Sequence, residues 1–167
     1  MRRALIGLAA LGFLPAAAFA QTEGTRVTFD PDAETTFDAD RVEIVQGTGG
    51  GSQLNADGNV LISQPGVILT SDSMMVFQAA GSDELQRLVA TGRVRYASVS
   101  GDAIAGDAAE YIAAEQTLTV SGNVVLLQDG QVATGSRLIY NVETGEMSLT
   151  AEPGSRVKGL LPQRASR

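Results

Sequence analysis

The segment Leu118-Thr119-Val120-Ser121-Gly122-Asn123-Val124 decides how this chain folds, because it is not alone. Two earlier copies precede it, Leu54-Asn55-Ala56-Asp57-Gly58-Asn59-Val60 and Leu88-Val89-Ala90-Thr91-Gly92-Arg93-Val94. A looser copy with two extra residues follows as Leu149-Thr150-Ala151-Glu152-Pro153-Gly154-Ser155-Arg156-Val157. The leading leucines stand 34, 30 and 31 residues apart, a spacing that marks a repeat architecture. A second motif interleaves with the first: Thr70-Ser71-Asp72-Ser73-Met74-Met75-Val76, Ala105-Gly106-Asp107-Ala108-Ala109-Glu110-Tyr111 and Thr134-Gly135-Ser136-Arg137-Leu138-Ile139-Tyr140. Phe37-Asp38-Ala39-Asp40-Arg41-Val42-Glu43-Ile44 is an earlier version of it. Each repeat therefore consists of two segments.

Both segments alternate with period two. Leu118, Val120, Val124 and Leu126 share a parity with Gly122, and Leu138, Tyr140 and Val142 share a side against Arg137 and Asn141. That is the pattern of half-buried strands, though Val125, Leu127 and Ile139 place apolar groups on the opposite side. Turn residues separate the segments: Gln64-Pro65-Gly66, Ser100-Gly101-Asp102, Asp129-Gly130 and Glu143-Thr144-Gly145. The mature chain is expected to be an all-β stack of antiparallel hairpins. Gly58, Gly92 and Gly122 recur at one height, where a glycine permits a bulge or sharp curl. Strands curling together fold the sheet into a two-walled, jelly-roll-like groove. Its expected lining is Leu54, Val60, Ile62, Met74, Val76, Leu88, Val94, Tyr96, Tyr111, Leu118, Val124, Leu126, Leu138 and Tyr140. With 8 aromatic residues in 167, the lining is mainly aliphatic and suits fatty acyl chains better than sugars or bases. A closed core with nothing inside satisfies the same periodicity.

Composition excludes much of enzymology. The chain has no cysteine, histidine or tryptophan, which removes thiol nucleophiles, Cys or His metal sites and Ser-His-Asp triads. Carboxylate chemistry remains, with Asp72 and Asp107 as a conceivable glycosidase pair, yet their equivalent repeat positions argue for one turn or strand-start role used twice. Residues 1–20 read as a secretory signal: Arg2 and Arg3, an apolar run at 4–14, Pro15, then Ala18-Phe19-Ala20 before Gln21. The rival reading is a retained anchor, at the short end of what spans a bilayer. A single domain at 21–167 remains, in the periplasm or outside the cell. It carries 10 basic against 19 acidic residues, a poor surface for nucleic acid. Ser82 could cap a short turn, 47–52 is linker-like, and the acidic stretch 30–34 is read as a solvated turn rather than a calcium loop. Arg93, Arg95 and Arg137 fall on the outward parity.

An Ala-Asp-Arg-type strand followed by a hairpin and Leu-x-Ala-x-Gly-Asn-Val resembles the OstA-like family of lipopolysaccharide-transport proteins. Asp40-Arg41, Gly58-Asn59-Val60, Gly122-Asn123-Val124 and the stretch from Gly135 to Gly145 carry the resemblance. It implies a twisted β-jelly roll, open at both ends, that passes lipopolysaccharide along an apolar groove without cofactor or catalysis. The implied neighbours are the inner-membrane-anchored LptC at one end and the amino-terminal domain of LptD at the other, with head-to-tail self-association also open. Free strand edges invite such pairing. Order along the stack assigns one edge to Arg26, Val27, Thr28 and Phe29 and the other to Met147, Leu149 and Val157. An LptC-like member of the same pathway, and a structural β-solenoid or adhesin that polymerises without a ligand, are the alternatives.

Overall fold

The computed structural model describes residues 33–47, 50–82 and 84–160. Ten strands follow one another: β1 (Thr36–Asp38), β2 (Arg41–Gln46), β3 (Ser52–Gln64), β4 (Val67–Gln78), β5 (Leu85–Ser98), β6 (Ala103–Ile112), β7 (Thr117–Gln128), β8 (Gln131–Asn141), β9 (Met147–Thr150) and β10 (Lys158–Leu160). One 3-10 turn, Ala113–Glu115, joins β6 to β7. Every pairing is antiparallel, and β3 to β8 lie side by side in chain order. Both outer strands are broken. β2 pairs the first half of β3 and β1 the second, while β9 pairs the last half of β8 and β10 the first. Among the described residues the first and last strands do not meet, so the sheet stays open.

The turns form where the sequence supplies left-handed residues. Asp129 and Gly130 both have positive φ (50° and 74°), as a tight two-residue hairpin requires. Before β5 the Ser82 hydroxyl accepts the Glu84 N–H at 3.3 Å, the short capped turn its sequence suggests.

Halfway along, the long strands fold over. Gly58-Asn59, Gly92-Arg93 and Gly122-Asn123 are consecutive residue pairs with positive φ, and each sits at a register shift. In the β3–β4 pairing the two residues Gly58 and Asn59 oppose Asp72 alone, and Gly92-Arg93 and Gly122-Asn123 likewise oppose Asp107 and Ser136. A β-bulge of this kind bends the strand and raises its twist. All three bulges lie at one height, so the sheet acquires a common fold line dividing it into two walls.

The fold line also explains the broken parity. On β3, β5 and β7 it takes up two residues, and even-numbered side chains face inward along the whole strand. On β4, β6 and β8 it takes up one, and the alternation inverts: Met74 but Leu69, Ala109 but Ile104, Leu138 but Gly135. Ile139 therefore lies outside, at 40% exposure, beside the fully buried Leu138. Residues of both walls join one apolar cluster whose buried members, among them Val60, Met74, Val124 and Leu138, are 0–7% exposed. One face of an open sheet cannot be this dry unless the other wall covers it. Each such side chain contributes about 1.5–3 kcal/mol to holding the walls together.

Candidate lipid groove and end edges

Cross-strand register arranges the inner face into four rungs perpendicular to the strands. On one wall Ile44, Leu54, Val76, Leu88, Tyr111, Leu118, Tyr140 and Met147 pair in succession, and beside them Val42, Ala56, Met74, Ala90, Ala109, Val120, Leu138 and Leu149. On the other wall Phe37, Ile62, Leu69, Tyr96, Ile104, Leu126 and Ala133 form the third rung. Val60, Val94 and Val124 hold the fourth, next to the fold line, opposite Ser71, Gly106 and Gly135.

All fourteen residues expected to line the groove lie on these rungs. Val60, Met74, Val94, Tyr96, Val124, Leu138 and Tyr140 are buried. Leu54, Ile62, Val76, Leu88, Leu118 and Leu126 are half-buried and pack on that core, and Tyr111 is half-buried on the first rung. The expected lining left out the buried Ala56, Leu69, Ala90, Ile104, Ala109 and Val120, although Val120 shares the inner parity of Leu118 and Val124. Val120 and the alanines keep the even or expected parity and were legible by alternation. Leu69 and Ile104 were hidden by the inversion at the fold line.

The rungs change character toward the ends. Leu138 and Tyr140 on β8 are 0% and 1% exposed, whereas on the first outer strand Phe37, Val42 and Ile44 are 38%, 44% and 63% exposed although they continue the inner rungs. At the other edge Met147 and Leu149 are half-buried against the core. Val157 departs from the expected edge: it belongs to no strand, because residues 151–157 loop out between β9 and β10. Arg26, Val27, Thr28 and Phe29 lie outside the described residues, as does the signal at 1–20. The free edge seen here is β1 with β2.

Asp72 and Asp107 stand neither in turns nor at strand starts but in mid-strand at the fold line, which corrects that expectation. They act with Asp40. Asn59 Nδ2 donates to Asp40 Oδ2 at 2.9 Å, Arg93 Nε to Asp72 Oδ1 at 2.7 Å, and Asn123 Nδ2 to Asp107 Oδ2 at 2.8 Å. Each aspartate rests on the neighbouring strand's glycine so closely that an added Cβ at Gly58, Gly92 or Gly122 would come within 2.7–2.8 Å of the aspartate Cβ. The hydrogen bond and charge of Asp72 raise the Arg93 pKa above its ordinary value. These are clasps across a bend, and the carboxylates are engaged in them. Arg95 and Arg137 are exposed, as their outward parity implies.

An unclosed antiparallel sheet, folded along a glycine line with apolar rungs running out to both edges, is the architecture of an open-ended β-jelly roll. A family model described as LptA/(LptD N-terminal domain) LPS transport protein matches residues 36–146, from β1 to the end of the hairpin loop before β9. The chain belongs to this family and is a component of lipopolysaccharide transport, a non-enzymatic kind of function. Among solved structures it is similar to LptH of Pseudomonas aeruginosa, described as the LptA homologous periplasmic component of the lipopolysaccharide transport device. Identity is 14% and the TM-score 0.61, over 78% of this chain and 96% of that one, a likeness of fold. No curated protein matches. Among the described residues no helix is long and apolar enough to cross a membrane.

Proposed function

We propose that this chain is an LptA-type bridge of the periplasm, which holds lipopolysaccharide acyl chains against the inner rungs and joins partner jelly rolls through its end edges. The observation that carries the reading is Ile44, an inward side chain on an edge unpaired among the described residues, 63% exposed on a rung whose other members are buried or half-buried. A strand added to that edge would cover it and continue the rung, which is β-augmentation. In this reading residues 1–20 direct export and are removed, leaving 21–167. The β1–β2 edge receives LptC and the β9–β10 edge delivers to the amino-terminal domain of LptD, with a second copy of the chain as a further neighbour. Each acyl methylene withdrawn from water contributes roughly 0.8 kcal/mol, so partial burial of several chains suffices for binding that can still be released. Because the walls already touch, lipid enters by parting them about the fold line.

The test is photo-crosslinking in cells. A benzoylphenylalanine at Leu126 or Leu118, on inner rungs, is expected to form a lipopolysaccharide adduct, and one at Val125 or Ile139, on the outside, is not. Adducts at neither pair in an exported, folded protein would refute lipid carriage. That result would favour a ligand-free structural bridge, a reading to which the close packing of the inner rungs lends support.

A further inference from the structure

Where the last strand breaks, at the end of the fold line, a depression of about 830 Å³ lies between β7, β8 and the looped-out residues 151–157. Arg156, Lys158, Ser155, Ser136, Asn123 and Glu152 line it, and Arg137 follows Ser136 on β8. The local charge runs against the whole molecule. Nineteen acids dominate the chain, yet none follows Glu152, and the segment from 153 to 160 carries only Arg156 and Lys158.

The other polar groups of the depression divide into engaged and free. Arg41, Arg87 and Arg93 each have a carboxylate partner, whereas among the described residues Arg137, Arg156 and Lys158 have none. The Ser155 N–H closes a turn on the Glu152 carbonyl at 2.9 Å, and its hydroxyl has no partner among the described residues. Ser136 donates to the Thr150 carbonyl at 3.2 Å, and Asn123 is held by Asp107. Glu152 offsets one positive charge, and the surplus remains cationic. Unpaired cations and a free hydroxyl around a concavity form the donor set that oxygen-rich anions take, because charge-assisted hydrogen bonds are about twice as strong as neutral ones.

We propose that this depression binds a phosphate group, with Arg156 and Lys158 as its charge partners and Ser155 as a hydroxyl donor. The source is a lipid head group or free phosphate. The depression borders the fourth rung at Val124 and Gly135, next to the fold line, and its cations come from the looped-out segment and β10, so phosphate binding there does not depend on acyl chains entering the rungs.

The experiment compares the exported full chain with Arg156→Ala/Lys158→Ala, using Arg95→Ala as control, an exposed arginine elsewhere that has no carboxylate partner among the described residues. Three probes are titrated: a diphosphorylated glycolipid in detergent micelles, its phosphatase-treated form, and inorganic phosphate followed by backbone amide shifts. The intact chain is expected to bind the phosphorylated lipid about tenfold more tightly than the treated one, a preference the double variant loses and Arg95→Ala retains. Phosphate-induced shifts at Ser155 to Lys158 without lipid binding would support the site for free phosphate while counting against the groove. Equal affinity of wild type and double variant for both lipids, with no phosphate shifts, would overturn the proposal. So would a double variant whose only defect is loss of docking to a partner domain, since the cations would then serve an acidic strand.

Discussion

At the scale of single residues the Gly-x pairs carry the fold. Gly122 has φ of 74°, a region that costs a residue with a side chain roughly 1–2 kcal/mol, and its missing Cβ is where Asp107 rests. Gly145 has nearly the same φ, 76°, with no heavy atom within 4 Å of an added Cβ. Urea denaturation should therefore show Gly122→Ala losing at least about 2 kcal/mol and Gly145→Ala only about 1, the strain alone. Equal losses would mean the contact with Asp107 carries no weight. Arg93 occupies the place that asparagine holds in the sister repeats, and its ion pair with Asp72 is largely exposed, at 74% and 44%. Arg93→Asn should accordingly stay within about 0.5 kcal/mol of wild type, because an asparagine can make the same clasp and exposed pairs contribute little.

Between elements, the register between strands decides which side chains are dry. Leu138 and Ile139 are adjacent and apolar, yet one is 0% and the other 40% exposed. An aspartate at 138 should unfold the chain or cost more than about 4 kcal/mol, while at 139 it should cost under about 1, read by thermal melting and circular dichroism. Much of this was legible beforehand: alternation along the glycine strands, the bend at Gly58, Gly92 and Gly122, and the hairpin turns all stand in the sequence. Leu69 and Ile104 were not, because period two has no means of signalling that a single aspartate at a bend reverses the count. The aspartate clasps were equally hidden, since they join residues 16 to 21 positions apart whose pairing depends on the bulge itself. Nor did the fourth repeat disclose that its two extra residues split the last strand into β9 and β10.

For the whole molecule, the two ends differ. The edge formed by β1 and β2 displays Phe37, Val42 and Ile44, whereas β9 tucks Met147 and Leu149 against the core. Amide exchange should show β1 and β2 opening well before β4 to β7, whose backbones are paired on both sides. Removing residues 147 onward leaves the stretch that matches the family intact. Such a truncation should keep its β-sheet spectrum and its binding to an LptC-type domain while losing the LptD-type partner, as read by pull-down. Loss of both together with the spectrum would show that β9 and β10 are needed for folding rather than for docking.

Because the rungs run perpendicular to the strands, distance along the groove is counted in strands. Neighbouring strands lie about 4.8 Å apart, so each two-segment repeat adds about 9.6 Å of reach. The fold is in this sense a ruler graduated in hairpins. Duplicating or deleting one repeat of about 30 residues would change the span between its ends while leaving both ends, and the chemistry of every interior graduation, as they were.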